Sequence, residues 1–301
     1  MNTRNEIIKI FAGLTLAASV LLPGALQAQP IIAAHYPAGA EGLKGASLPP
    51  PGIYFRDYNF FYYSDKYKDG PPDLNLFAYI NAPRLIWMTD LNILGGTYGM
   101  DVIVPFGYMD WKYQTPGGKV KDCYFGLGDI EIEPVLLSWH FKQLDLSAGY
   151  AIWAPTGDFS TSRPDIFIQG FWSHMLTLGA TWYPDQEKTI ALSLLNRYEF
   201  CHEQEDTHID PGQVYTLEAG LSKTVSKGVD IGVIGYYQQQ TTEDSGANAF
   251  GGLDRKFGLG PEISAFCTKL GVNTSLRYAY EFEANERPEG HLVTLTFTKR
   301  F

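Results

Sequence analysis

Long apolar runs are what this chain most clearly lacks. Beyond residue 28 nothing approaches the roughly 18 consecutive apolar residues of a membrane helix, although 45% of its 301 residues are hydrophobic. That excludes a helical membrane protein. Positive charge is also short: Lys and Arg number 23 against 33 Asp and Glu, a formal net charge of -10. Such a balance argues against a nucleic-acid partner, whose phosphates demand a basic surface. No basic amphipathic stretch points to binding at a membrane surface. Cysteine is scarce, and the odd count of Cys 3 leaves one thiol over. Only Cys123 and Cys201 fall toward the same expected end of the fold, so a disulfide between them stays open.

Enzyme signatures are missing as well. Gly126-Leu127-Gly128 and Gly258-Leu259-Gly260 lack the third glycine and following helix of a nucleotide site. No Gly-x-Ser-x-Gly elbow occurs. Ser173-His174 are neighbours on an expected strand, and alternation sends them to opposite faces, which makes a poor nucleophile and base. The segment 201–210 gathers His202, Glu203, Glu205, Asp206, His208 and Asp210 but with no regular ligand spacing, so it reads as a solvated acidic loop. No catalytic residue, metal or cofactor is expected.

What is present is alternation. Aromatics make up 14% of residues, with Tyr 19 and Phe 18, while the mean hydropathy is only -0.14. A transmembrane β-barrel has this composition, because each strand puts one side in lipid and wets the other, with aromatics gathered in girdles. Period-2 runs predict about twelve strands: 53–63, 75–88, 95–112, 126–139, 144–155, 167–183, 188–202, 213–224, 228–241, 254–267, 270–284 and 290–301. In 270–284, Val272, Thr274, Leu276, Tyr278, Tyr280 and Phe282 oppose Asn273, Ser275, Arg277, Ala279 and Glu281. Links between strands alternate short and long, with long ones expected at 64–74, 113–125, 156–166, 203–212, 242–253 and 284–289. Barrels of the bacterial outer membrane have short periplasmic turns and long external loops. The last strand ends on Phe301, the kind of terminal aromatic that barrel assembly machinery reads. Lys299 departs from that pattern, and its stem can lie along lipid while its ammonium reaches headgroup water.

At the other terminus, Arg4 and Lys9 precede an apolar run over 10–22, and Ala28 ends a small-residue stretch. This reads as a secretory signal peptide. The expected organisation is therefore a signal peptide over 1–28, an N-terminal segment over 29–52, and an all-β domain over 53–301. That domain is a single antiparallel transmembrane β-barrel.

Several segments resemble the outer-membrane family associated with the meta-pathway of phenol degradation, grouped with SphA-like transporters. They are His35-Tyr36-Pro37-Ala38-Gly39-Ala40-Glu41-Gly42, Ala46-Ser47-Leu48-Pro49-Pro50-Pro51-Gly52-Ile53-Tyr54, Gly126-Leu127-Gly128-Asp129-Ile130 with Pro134, and Trp153-Ala154-Pro155-Thr156-Gly157-Asp158-Phe159. The resemblance implies an outer-membrane barrel connected with the breakdown of aromatic compounds. It brings no catalytic residues.

The faces expected to line the lumen are acidic. Asp129, Glu131 and Glu133 alternate along one run, and Glu199, Glu218, Asp230, Glu262, Glu281 and Glu283 fall on the same side of their own strands. Against them stand Arg56, Arg197 and Arg277. Two readings follow: a water-filled passage that favours cations, or an interior closed by Arg–Glu pairs. Residues 29–51 are too rich in Gly and Pro for a strand. With His35, Tyr36 and Glu41 they form either a lumenal plug or a disordered periplasmic lead-in. The function expected is a bacterial outer-membrane channel for small aromatic or hydrophobic compounds. A general cation-preferring porin is the nearer alternative, and a barrel phospholipase or structural barrel the more distant one. The expected partners are outer-membrane lipid and lipopolysaccharide, the barrel assembly machinery and small solutes.

Overall fold

The computed structural model describes residues 34–68, 70–161, 166–246, 249 and 252–301. The expected signal peptide and residues 29–33 lie outside them. Twelve antiparallel strands close into a barrel: β1 (Gly52–Lys66), β2 (Asn75–Ile93), β3 (Gly96–Ile103 continuing as Phe106–Thr115), β4 (Gly118–Leu127 continuing as Ile130–His140), β5 (Leu144–Ala154), β6 (Ser173–Trp182), β7 (Ile190–Cys201), β8 (Val214–Ser226), β9 (Val229–Gln240), β10 (Arg255–Cys267), β11 (Val272–Asn285) and β12 (Glu289–Arg300). Each strand pairs with its sequence neighbours, and β1 also pairs with β12 from Tyr54↔Arg300 to Lys66↔Glu289. Closure through β1, which pairs with both β2 and β12, leaves only the first half of β4 (Gly118–Leu127) with an unpaired side, so the rest of the wall satisfies its own backbone.

Alternation sets the faces. On β7, Leu192, Leu194 and Phe200 are exposed while Ala191, Ser193, Leu195, Arg197 and Glu199 are buried. On β11, Leu276, Tyr278 and Tyr280 look out, and Ser275, Arg277, Ala279 and Glu281 look in. The exposed Leu, Ile, Phe and Trp side chains form the lipid belt; the polar ones fill the interior. On β12, Thr294 and Thr296 are buried and Phe297 is exposed, as the terminal pattern requires. Phe301 donates its N–H to Ile53 O (2.9 Å) at the closing seam.

Two departures from the expected strands matter. The run expected as one strand over 126–139 is interrupted at Gly128-Asp129, and its neighbour over 95–112 at Val104-Pro105. Pro105 lacks the N–H that a ladder needs, so pairing cannot run through it. At this break Gly128 N–H bonds to Pro105 O, and Asp129 N–H reaches Phe167 O. The upper half of β4 pairs only with β3. The other departure is in the connections. The long loop expected over 113–125 is a tight turn at 116–117 between lengthened strands. The strand expected from 167 begins only at Ser173, because the preceding connection turns Phe167, Ile168 and Phe171 inward while Trp172 stays exposed.

Candidate functional site

The segment 34–51, preceding β1, runs inside the barrel. The carboxylates of three strands receive it. Glu262 on β10 accepts the Leu43 N–H (2.9 Å). Glu218 on β8 accepts those of Gly39 (2.9 Å) and Glu41 (3.1 Å). Glu199 on β7 accepts that of His35 (3.0 Å). A segment too rich in Gly and Pro to join a ladder has its backbone donors satisfied by side chains instead. Further fastenings are Lys44 to Asp230 (2.7 Å), Ser47 to Asp145 (2.8 Å) and Ala46 N–H to Ser193 (3.1 Å). Arg277 donates to the carbonyls of Gly39 and Ala40. A side chain at Gly42 would collide with the Glu262 carboxylate, and one at Gly39 with the Tyr236 ring.

His35 is the innermost anchor. Its Nδ1 lies 2.7 Å from Glu199 and its Nε2 3.4 Å from Asp129, while its ring stacks on Trp153. Burial alone would lower the His35 pKa. The hydrogen bonds and charge of Asp129 and Glu199 outweigh it and raise the value to about 9, from 6.5. A raised folded-state pKa means a contribution fully present below pH 6.5 and lost as pH rises through 9. The size of the shift corresponds to about 3 kcal/mol. Trypsin cleavage after Lys44 is therefore expected to stay slow up to pH 8 and accelerate above pH 9. In His35→Gln the rise near pH 9 should vanish, and an unchanged profile there would remove His35 as the cause.

Glu41 is the second anchor. It meets Arg56 (3.1 Å), Arg84 (3.0 Å) and the Tyr58 hydroxyl (2.7 Å). Burial raises its pKa, but the guanidinium charges of Arg56, Arg84 and Arg197 prevail and hold it at about 2. Arg84 in turn binds Asp101 (2.6 Å) and Glu133 (2.9 Å). Arg197 binds Glu218 (2.5 Å) and lies over the Tyr36 ring, 3.9 Å from its centroid; the Tyr36 hydroxyl donates to the same carboxylate (2.7 Å).

Beside the segment lies a cavity of about 720 Å³, its open mouth included. Its lining mixes apolar side chains (Phe60, Ile80, Ile103, Pro105, Phe167 and Met175) with charged ones (Glu41, Arg84, Glu131, Glu133 and Arg197), and His35 and Trp153 join them. Ile103 sits between Arg84 and Glu131 across paired strands. Phe167 sits where the wall is broken: a side chain on Gly128 would meet Phe167 and Pro105, and one on Gly107 the Phe167 ring. Asp129 fixes this inward connection by accepting from Gly157 (3.0 Å), Gln169 (2.6 Å) and Gly170 (3.1 Å) N–H groups. The Thr156 hydroxyl donates to Gly128 O (3.0 Å) and accepts from Ile130 N–H (3.0 Å). The motifs at 35–42, 126–130 and 153–159, far apart in sequence, thus meet around one cavity.

The structure brings Asp129, Glu131, Glu133, Arg197, Glu199, Glu218, Glu262, Arg277 and Glu281 into the buried interior, with Arg56 and Asp230 half-buried. Glu283 is different and corrects the expected alternation. It is exposed, with φ +50°, because β11 loses its register against β10 between Arg255 and Phe257. Asp129 faces inward but stands in the break, outside either half of β4. Arg84 and Asp101 were missed by sequence reasoning. Their inner faces read Leu76, Ala78, Ile80, Ala82, Ile86 and Gly99, Ile103, which look like lipid-facing residues. Cys123 is exposed, Cys201 is buried, and neither is bonded to the other. In the 201–210 loop, His208 pairs with Glu203 at the surface, and His202 packs against His174.

A family profile described as "Putative MetA-pathway of phenol degradation" matches residues 61–297. The fold is similar to that of the COG4313 outer membrane channel from Pseudomonas putida F1, with TM-score 0.73 and 15% identity over 85% of this chain and 97% of that one. It is also similar to the β domain of the Bordetella autotransporter BrkA (TM-score 0.52, 10% identity, 84% and 100% covered). The translocator domain of the autotransporter NalP from Neisseria meningitidis matches as well (TM-score 0.51, 11% identity, 85% and 91% covered). No curated protein sequence matches.

Proposed function

Because this chain belongs to the MetA-pathway phenol-degradation family and folds as an outer-membrane β-barrel, we propose that it passes small aromatic or hydrophobic compounds across the bacterial outer membrane. The observation that carries this reading is the cavity, whose lining mixes aromatic and aliphatic side chains with a few charged ones. Ligand sites for small organic molecules have this composition, mostly apolar with a few placed polar groups. The short-turn end faces the periplasm, the exposed apolar belt meets outer-membrane lipid and lipopolysaccharide, and the β12 end at Phe301 is what the assembly machinery engages.

A general cation porin needs a continuous water path, and 34–51 occupies the lumen where that path would run. A hydrolase needs a free base. Ser173 lies 3.0 Å from His35, but both imidazole nitrogens face carboxylates and the Ser173 hydroxyl itself donates to Glu199 (2.7 Å). That histidine is already protonated at neutral pH and takes no proton from serine.

The test is uptake. Cells lacking the chain and then supplied with it are expected to take up radiolabelled toluene and phenol several-fold faster, with no gain for a sugar of similar mass. Equal aromatic uptake with and without the chain would sink the proposal.

A further inference from the structure

Among the carboxylates that face the interior, Glu131 stands apart. It is 3% exposed and lines the cavity. Its neighbours along β4 are both engaged, Asp129 by His35 and three backbone N–H groups, Glu133 by Arg84. Glu199, Glu218, Glu262 and Glu281 each hold a donor as well. Among the described residues, no hydrogen bond or ion pair within contact distance reaches Glu131. Unlike the sealed Oδ1 atoms of Asp101, Asp145 and Asp254, its carboxylate oxygens are not cut off from the space beside them, so this acceptor opens onto the cavity.

We propose that the Glu131 carboxyl is the receptor for a hydroxyl borne on an aromatic ring. The ring lies against Phe60, Ile103 and Phe167, and its O–H donates to Glu131. This rests on the transport reading above and narrows it to ring compounds that carry a neutral proton donor. The alternatives fit the charges worse. An aromatic carboxylate would set its anion beside Glu131, Glu133 and Glu41, and the nearby guanidinium groups of Arg84 and Arg197 are already bound by Glu41, Asp101, Glu133 and Glu218. An ammonium would meet those same two guanidiniums at close quarters. A neutral donor avoids both. A site that offers a buried acceptor also rejects the analogue lacking the hydroxyl, because the acceptor is then stripped of water with nothing in its place.

Equilibrium dialysis of radiolabelled phenol, toluene and benzoate against the full barrel in lipid nanodiscs, with empty discs subtracted, tests this. The ratio of phenol to toluene affinity is expected to fall about tenfold or more in Glu131→Leu, with toluene itself held as well as before. Should that variant fail to assemble, Glu131→Gln keeps the shape and a weaker acceptor, and its ratio should fall several-fold. Benzoate should bind least. A ratio unchanged by either substitution, or benzoate bound more tightly than phenol, overturns the role of Glu131 while leaving aromatic transport intact. Failure of both phenol and toluene to bind the unaltered protein overturns the cavity reading along with it.

Discussion

Planar bilayers holding a barrel that lacks residues 30–47 are expected to carry a steady current about tenfold or more above that of the intact chain. A barrel of eight strands is filled by its own side chains, and one of sixteen leaves an aqueous channel. Twelve strands fall between, and the space left is taken here by a single extended segment. That segment is fixed at three heights: Ser47 on Asp145, Glu41 on Arg56 and Arg84, His35 on Glu199 and Asp129. Its removal strips Glu199, Glu218 and Glu262 of backbone donors and lets water in. The current should prefer cations, because those carboxylates together with Asp101, Glu131 and Glu133 still outnumber Arg56, Arg84, Arg197 and Arg277. Aromatic uptake should not rise in step with ion current, since the cavity loses the wall formed by His35 and Tyr36. An intact chain that conducts as freely as the deletion would show that 34–51 does not seal the lumen.

The barrel itself was legible because strand alternation is a local signal. Strands such as Val272–Asn285 put polar and apolar residues on opposite faces: Ser275, Arg277, Ala279 and Glu281 are buried, and the alternation holds until Glu283, exposed at φ +50°, leaves it. The site was less legible, for two physical reasons. The first is that an apolar cavity reverses the usual rule. Leu76, Ala78, Ile80 and Ala82 look inward although they read as a lipid face, and Arg84 at the end of that run was hidden by them. The second is that the break in the wall depends on a single Pro105 and on Gly128 across from it. Neither interrupts the hydrophobic pattern, so continuous strands were expected there. The His35–Glu199 and His35–Asp129 contacts join residues 164 and 94 positions apart. No spacing rule reaches that far, and only the resemblance at 35–42 hinted that the segment was ordered.

Replacing Arg84 with Met is expected to cost about 3–5 kcal/mol of unfolding free energy, the largest effect of any single substitution in this interior. Arg84 is 8% exposed and is the shared partner of Glu41 (3.0 Å), Asp101 (2.6 Å) and Glu133 (2.9 Å), which come from the lumenal segment, β3 and β4. Without it, Asp101 and Glu133 lose the cation their burial depends on, while Glu41 keeps Arg56. An uncompensated buried charge is the costly case, whereas a pair replaced whole by neutral groups is often nearly free. The triple variant R84M/D101N/E133Q should therefore regain most of the lost stability despite carrying more changes. Arg84→Lys should fall between, because one ammonium cannot reproduce a fork that meets carboxylates through two nitrogens. Urea titration in lipid vesicles, followed by the mobility shift between folded and unfolded barrel, measures all of these. A single Arg84→Met variant as stable as the parent would mean that water enters the network and screens its carboxylates. The charged groups lining the cavity would then be wet, and the selectivity argued from Glu131 would have to fall with them.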